Sequence, residues 1–187
     1  MGTLTTRASV KELLGIKSSV TAYDAVIDTL VLAVDGLVED YCDRHFADTT
    51  YTEYHDGESN QRKLLVRNYP LISVTSIHDD AGRTYGSDTL IASADYTFET
   101  GDDADGIVYL DLSLARGQRN VKIVYRAGYA TIPKTLSRAA DLVCASIYNR
   151  RKGAGRSNES LGNLSYSAAP EMWGDAVPIL ARFKRWA

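Results

Sequence analysis

The chain has 187 residues, 44% of them hydrophobic and 24% charged, with a formal net charge of −3. Such a composition excludes a disordered chain, which is too polar and too charged to offset its ordering entropy, and the length suits one domain or one domain with an insertion. No apolar run approaches the ~18–20 residues of a membrane span, because the best stretch, Leu30 to Val34, is closed by Asp35. In chain order, Ala8 to Leu14 reads as a short amphipathic helix stopped by Gly15. Thr21 then opens a long helix, with Thr21 as its cap and Asp24 in the favourable first turn. Its apolar positions, Tyr23, Val26, Ile27, Leu30, Val31, Val34, Leu37, Val38, Tyr41, Cys42 and Phe46, recur at steps of three and four and form one stripe as far as His45.

The period changes after that helix. Thr49 to His55 alternates and is rich in β-formers; Lys63 to Arg67 is a second strand, and Ile72 to His78 alternates cleanly. Asp79 to Arg83 reads as a tight turn, and Thr84-Tyr85 as the start of the return strand. Tyr96 to Glu99, Gly106 to Leu112 and Asn120 to Arg126 complete the set. Strands this close, with Gly and Asp turns between them, predict an antiparallel sheet or small barrel, and no crossover helix is present for a parallel fold.

Helical spacing returns at Pro133, with Leu136, Ala140, Val143, Ile147 and Tyr148 as the buried stripe and Gly153 as the stop. A polar Gly/Ser/Asn stretch follows, Ala154 to Ser167, and then a short helix from Asp175 to Trp186. The predicted class is therefore α+β. A long N-terminal helix packs on a second long helix, an antiparallel β module (residues 47–130) is inserted, and an arm plus short helix (153–187) ends a single domain of 1–187.

Signals for chemistry are sparse. Met1 to Arg7 lacks the basic-then-apolar pattern of a secretory signal, and Gly2 with Thr6 only grazes a myristoylation pattern. Cys42 and Cys144 have no CxxC spacing and read as small buried hydrophobes in a reducing compartment. The three histidines, 45, 55 and 78, form no HExxH, and GxSxG, P-loop and GxGxxG motifs are absent. His45 is expected to end the long helix, facing its free carbonyls. A sequence pI near 5.6 argues against a dedicated nucleic-acid grip.

Asp102-Asp-Ala-Asp-Gly invites a calcium reading, but the starting Asp and bidentate Glu of such a loop are missing, and a solvated turn fits better. A metal-dependent hydrolase using Asp102 to Asp105 stays as an alternative, as does a monomeric binding module. No cofactor is expected. Tyr51, Tyr54, Tyr96, Tyr109, Tyr125 and Tyr129 fall in or beside the β module among Thr, Asp and Glu, a pattern suited to amphipathic sheets or a wet protein interface. In the tail, Val177, Leu180 and Phe183 share a face with Met172 or Trp173 behind and Trp186 at the end, while Arg182, Lys184 and Arg185 line the other side. This helix either docks on its own core or on a partner.

Several pieces together are similar to a known family. Asn68-Tyr-Pro-Leu-Ile-Ser-Val-Thr-Ser-Ile, Gly106-Ile-Val-Tyr-Leu, Val121-Lys-Ile-Val-Tyr-Arg-Ala-Gly-Tyr-Ala-Thr-Ile-Pro-Lys-Thr-Leu, Asn149-Arg-Arg and Ser157-Asn-Glu-Ser-Leu-Gly-Asn-Leu-Ser-Tyr resemble the head–tail connector (adaptor) proteins of tailed phages. The short helix followed by a long one ending Tyr41-Cys-Asp-Arg-His-Phe is similar too, so the resemblance spans about residues 8–168. It implies a non-enzymatic virion protein, assembled in the host cytoplasm. It implies a ring, usually twelvefold, beneath the portal protein, with a tail-side connector or tail terminator below and genomic DNA passing through non-specifically, away from any membrane. Ser157, Leu161, Leu164 and Tyr166 would belong to an inter-subunit arm. Trp173, Val177, Leu180, Arg182, Phe183, Arg185 and Trp186 are the candidates for portal docking.

Overall fold

The computed structural model describes residues 4–101, 104–151 and 173–185, and the backbone of 159–161 and 164–166. The chain divides into two compact units, Met1–Arg44 with Ile132–Ala187, and His45–Thr131. The class is α+β, with antiparallel sheets.

The first unit is helical. Its elements are α1 (Arg7–Leu13), α2 (Asp24–Cys42), α3 (Lys134–Arg150) and a last turn, α4 (Val177–Leu180). The Thr6 hydroxyl accepts from the Ser9 N–H and caps α1, and Gly15 ends the segment at φ 67°. α2 and α3 pack on each other, with α1 across both. Ile27, Val31, Val34, Val38 and Cys42 are the buried side of α2; Leu136, Ala139, Ala140, Val143, Cys144 and Tyr148 are that of α3.

The long helix departs from expectation at both ends. It begins at Asp24, not Thr21, and its N-cap residue Tyr23 makes no side-chain cap bond. Lys11 explains the change. Its buried ammonium donates to the Ser18 carbonyl at 3.1 Å, the Val20 carbonyl at 2.7 Å and the Asp24 carboxylate at 2.8 Å, which winds residues 18–23 into a turn. At the other end Asp43 adopts a left-handed backbone (φ 53°) and stops the helix two residues before His45. The single apolar stripe also splits: Tyr23 and Val26 are 41% and 40% exposed and Leu30 is half-buried.

The second unit holds two three-stranded sheets. β1 (Thr49–Gly57), β3 (Leu71–Asp79) and β6 (Gly117–Ala127) form one in the order β1-β6-β3; β2 (Lys63–Leu65), β4 (Tyr96–Phe98) and β5 (Ile107–Leu110) form the other in the order β2-β5-β4. One core of Leu64, Val108 and Leu110 from the small sheet and Ile77, Ile123 and Tyr125 from the large one lies between them. Gly128 follows β6 at φ 117°, where any Cβ would run into the Ala47 backbone.

The expected return strand at Thr84-Tyr85 does not form. Asp80 receives the N–H groups of Gly82, Thr84 and Tyr85 and the Thr84 hydroxyl at 2.7–2.8 Å. Arg83 and Tyr85 take left-handed φ of 58° and 54°, which a strand cannot include. Two short 3-10 turns, Ser87–Thr89 and Ser93–Asp95, carry the chain on to β4.

Candidate interaction surfaces

The C-terminal segment is not the single helix from Asp175 to Trp186 that the apolar spacing suggests. A 3-10 turn (Gly174–Ala176), one α turn with Pro178 near its start and a second 3-10 turn (Ala181–Phe183) follow one another. The segment folds onto its own helical unit. Trp173 stacks on Tyr41 at 4.9 Å between ring centroids, and Leu180 is fully buried. The Arg185 N–H donates to the Cys42 carbonyl at 2.9 Å, and its guanidinium pairs with Asp43 at 2.5 Å. Val177 and Phe183 are half-buried and Arg182 is exposed. Of the seven residues named for docking, Trp173, Leu180 and Arg185 thus hold internal positions, and Trp186 lies outside the described residues.

In the segment read as an arm, β7 (Glu159–Leu161) pairs antiparallel with β8 (Leu164–Tyr166), with Leu161 opposite Leu164 and Glu159 opposite Tyr166. Ser157 lies outside the described residues, as do Asp102 and Asp103 of the acidic run.

Buried polar groups in both units hold chain segments in place. Asp141 of α3 receives the Thr5 and Ser9 hydroxyls and ties the chain start to that helix. Lys11 and Arg7 lower the Asp24 carboxyl, the Lys11 hydrogen bond most of all. In the β module, burial alone would raise Glu53, yet bonds from His55, the Tyr125 hydroxyl and the Arg67 N–H outweigh it and hold the carboxyl below its ordinary range. Burial pushes the Tyr125 phenol up. Asp80, with its four donors, is lowered to about 2. None of these roles was assigned from the residues. Asp80 had a readable signal, since Gly82 and Thr84 follow at the spacing of a carboxylate-closed loop. Lys11, Asp141 and Glu53 had little, because Asp24, Thr5 and Tyr125, one partner of each, lie 13, 136 and 72 residues away.

The chemistry of these residues is that of packing and hydrogen bonding. His45 stacks on Tyr51 at 6.3 Å, His55 meets Glu53 at 3.0 Å, and His78 Nδ1 lies 3.1 Å from the Gly86 carbonyl oxygen. Burial raises both cysteine thiols to about 11, far from a reactive thiolate. Among the described residues no three His, Cys, Asp or Glu side chains converge as a metal would need, and no helix is long and apolar enough to cross a membrane.

The family model for head completion proteins matches residues 3–162. The chain belongs to the head completion protein family. It is a structural head–tail adaptor of the virion, positioned at the head–tail interface, and not an enzyme. No curated protein matches it in sequence. Its fold is similar to a chain in the neck of an empty gene transfer agent particle computed with C6 symmetry, at TM-score 0.61 and 14% identity, covering 96% of this chain and 89% of that one. A chain in the virion of the native particle gives TM-score 0.61 at 17% identity, covering 96% and 88%. One in the native neck computed with C12 symmetry gives 0.57 at 16%, covering 87% and 84%.

Proposed function

We propose that the adaptor assembles as a closed ring of twelve copies. The portal protein lies on one side of it, a tail-side connector or tail terminator on the other, and genomic DNA passes non-specifically through the middle. The observation that carries this reading is the shared fold with neck proteins whose particles were computed with C6 and C12 symmetry, over nearly the whole chain. A ring of identical chains needs a head-to-tail contact whose rotation closes. The net charge of −3 per chain supports a passage that does not grip phosphate, because a basic lumen would bind DNA and slow its exit.

In this reading the outward residues of the C-terminal segment, Arg182 with Val177 and Phe183 beside it, dock on the portal, and Trp173, Leu180 and Arg185 hold the segment in the shape that docks. The hairpin β7–β8, which carries Leu161, Leu164 and Tyr166, is with the preceding Ser157 segment the arm that reaches a neighbouring subunit. The mass of the assembly tests the ring. Twelve chains of 20.5 kDa give 246 kDa, by native mass spectrometry of the free protein or of the ring released from heads. A 20.5-kDa species in both preparations sinks the proposal. For docking, Arg182→Glu should leave thermal stability unchanged and stop heads from gaining tails; tailed particles at wild-type yield would remove this segment from the portal contact.

A further inference from the structure

The β module has a lopsided charge. From His45 to Thr131 it carries thirteen acids and eight bases, and in two stretches the signs separate. Between Asp95 and Asp111, the β4–β5 hairpin and its flanks, six carboxylates occur with no base. Between Arg116 and Arg126, essentially β6, four bases occur with no acid.

The fold puts these runs on opposite sides. β5 is the centre of the small sheet and β6 the centre of the large one. The two sheets share one core, filled by Val108 and Leu110 from β5 and by Val121, Ile123 and Tyr125 from β6. The alternate residues of each strand therefore point outward in opposite directions. On the outer side of the large sheet Lys122 stands between Tyr54 and His78, its cross-strand neighbours. Tyr85 covers this row, with its ring 5.4 Å from Tyr54, 6.5 Å from His78 and 5.4 Å from the Lys122 ammonium. The Arg119 guanidinium lies 5.1 Å from the Tyr54 ring, and the Tyr85 hydroxyl donates to the Arg119 carbonyl. The result is a ladder of two cations and tyrosines, held by the loop that Asp80 closes, with one carboxylate at its edge, Asp56, which accepts from the Arg119 N–H at 2.6 Å. At the hairpin, Glu99 after β4, Asp105 before β5 and Asp111 after it are all exposed.

A patch that is cationic and aromatic suits a carboxylate-bearing protein surface. Duplex DNA is a poorer fit, because it needs a longer basic stripe than one end of a three-stranded sheet, on a module that is acidic overall. One module cannot close its own two faces together, since they look away from each other. A second copy can, and joining unlike faces is the head-to-tail geometry that a ring requires. We propose that the Tyr54–Tyr85–Arg119–Lys122 face of one subunit receives the acidic β4–β5 hairpin, Glu99 and Asp105 foremost, of the next subunit. This inference rests on the ring reading above and assigns one of its contacts.

Charge reversal on the full chain tests it. One variant carries Arg119→Glu and Lys122→Glu; the other carries Glu99→Lys and Asp105→Lys. All four side chains are at the surface or half-buried, so melting temperatures should stay near wild type. Each variant alone presents like charges at every junction and should self-associate on the order of tenfold more weakly, or worse, by light scattering and native mass spectrometry at low salt. Mixed in equal amounts they should form an assembly of wild-type size with the two chains in equal number, because each face then meets a hairpin of opposite sign. Rings formed by both variants alone, or no rescue on mixing, overturn the contact and leave the ring reading standing. A wild-type chain that forms no ring in solution or on heads overturns the ring reading itself. Variants that lose binding to a duplex oligonucleotide yet assemble normally would reassign the face to DNA and overturn this proposal.

Discussion

In the helical unit apolar residues recur at helical steps, and buried Lys11 and Asp141 each tie a helix to another stretch of chain. In the β module buried and half-buried polar side chains lie within the strands as well as in the loops that hold Asn68 and Asp80. Glu53 is on β1, Tyr125 on β6, and Asn120 bridges the Gly57 N–H and the Asp79 carboxylate. The difference follows from backbone chemistry. A helix satisfies its own N–H and C=O groups except at its ends, so a buried polar side chain within it serves to tie other segments to it, as Asp141 does from the middle of α3. A small sheet leaves bulges and edges open, and here both ladders with β6 shift register, between His55 and Gly57 and again in β3. The helical unit should therefore fail through lost packing, and the β module through lost hydrogen bonds or a change of pH.

The largest effect is expected in the helical core. Val34 is fully buried in α2, and Val34→Asp would strand a charge there at a cost of about 3–5 kcal/mol, a large part of any domain's stability. Cooperative melting should disappear, as it should for Val143→Asp in α3. Leu30→Asp should lower the melting temperature by only a few degrees, since Leu30 is half-buried. Equal damage at Leu30 and Val34 would mean that the exposed side of α2 is covered in solution.

These residues also mark how far the sequence could be read. Helix and strand periods are local, so α1, α2, α3 and every strand from β1 to β6 were recognisable from three- or two-residue spacing. Which part of an apolar stripe faces the core is not local; Tyr23 and Val26 obey the same spacing as Ile27 and Val31. The start of α2 was misplaced because Lys11, an ordinary surface residue by type, takes over residues 18–24. The strand at Thr84 was misplaced because alternation says nothing of a carboxylate that gathers backbone N–H groups. The C-terminal residues were found as a group of apolar and basic side chains, but the stacking of Trp173 on Tyr41 and the Arg185–Asp43 pair depend on a fold that brings residues over a hundred positions apart together.

In the β module the expected losses are smaller and polar. Tyr125→Phe removes one donor from half-buried Glu53 and should cost about 1 kcal/mol, read from urea unfolding. Wild-type stability in Tyr125→Phe would mean that water replaces the phenol. Asp80 provides the pH handle. Its folded value, about 2, lies below the ordinary 3.8, so its contribution is complete above 3.8 and fades as pH falls through about 2. Asp80→Asn lacks that charge at every pH. Its stability should lie below wild type at neutral pH, and the two curves should converge as pH approaches 2. Parallel curves would show that the loop does not depend on the ionised carboxylate.

A single cap in the helical unit gives a smaller change. Thr6→Ala removes the oxygen that accepts from the Ser9 N–H at 3.2 Å, and about 1 kcal/mol should go with it. Thr6→Ser should restore most of the loss. A Thr6→Ala variant as stable as wild type would place α1 outside the cooperative unit.

The smallest effect on the free subunit, and the one that separates folding from assembly most sharply, belongs to the β7–β8 hairpin. A two-stranded hairpin of three residues a side is marginal in water, because each ordered residue costs about 1–2 kcal/mol of backbone entropy and so short a ladder returns little of it. Leu161, Leu164 and Tyr166 are the large apolar residues between Gly153 and Ala169, too few to offset that cost alone. If the hairpin is an arm, its stabilising partner is a neighbouring chain, through added strand pairing or a groove between subunits. Replacing Leu164 and Tyr166 by Ser should then leave the monomer's melting temperature nearly unchanged and weaken ring or portal assembly. Hydrogen exchange supplies the companion measurement: the amides of residues 159–161 and 164–166 should exchange fast before assembly and slowly after it. Protection that is equal in both states would make the hairpin an ordinary part of the subunit fold, and the arm assignment would fall.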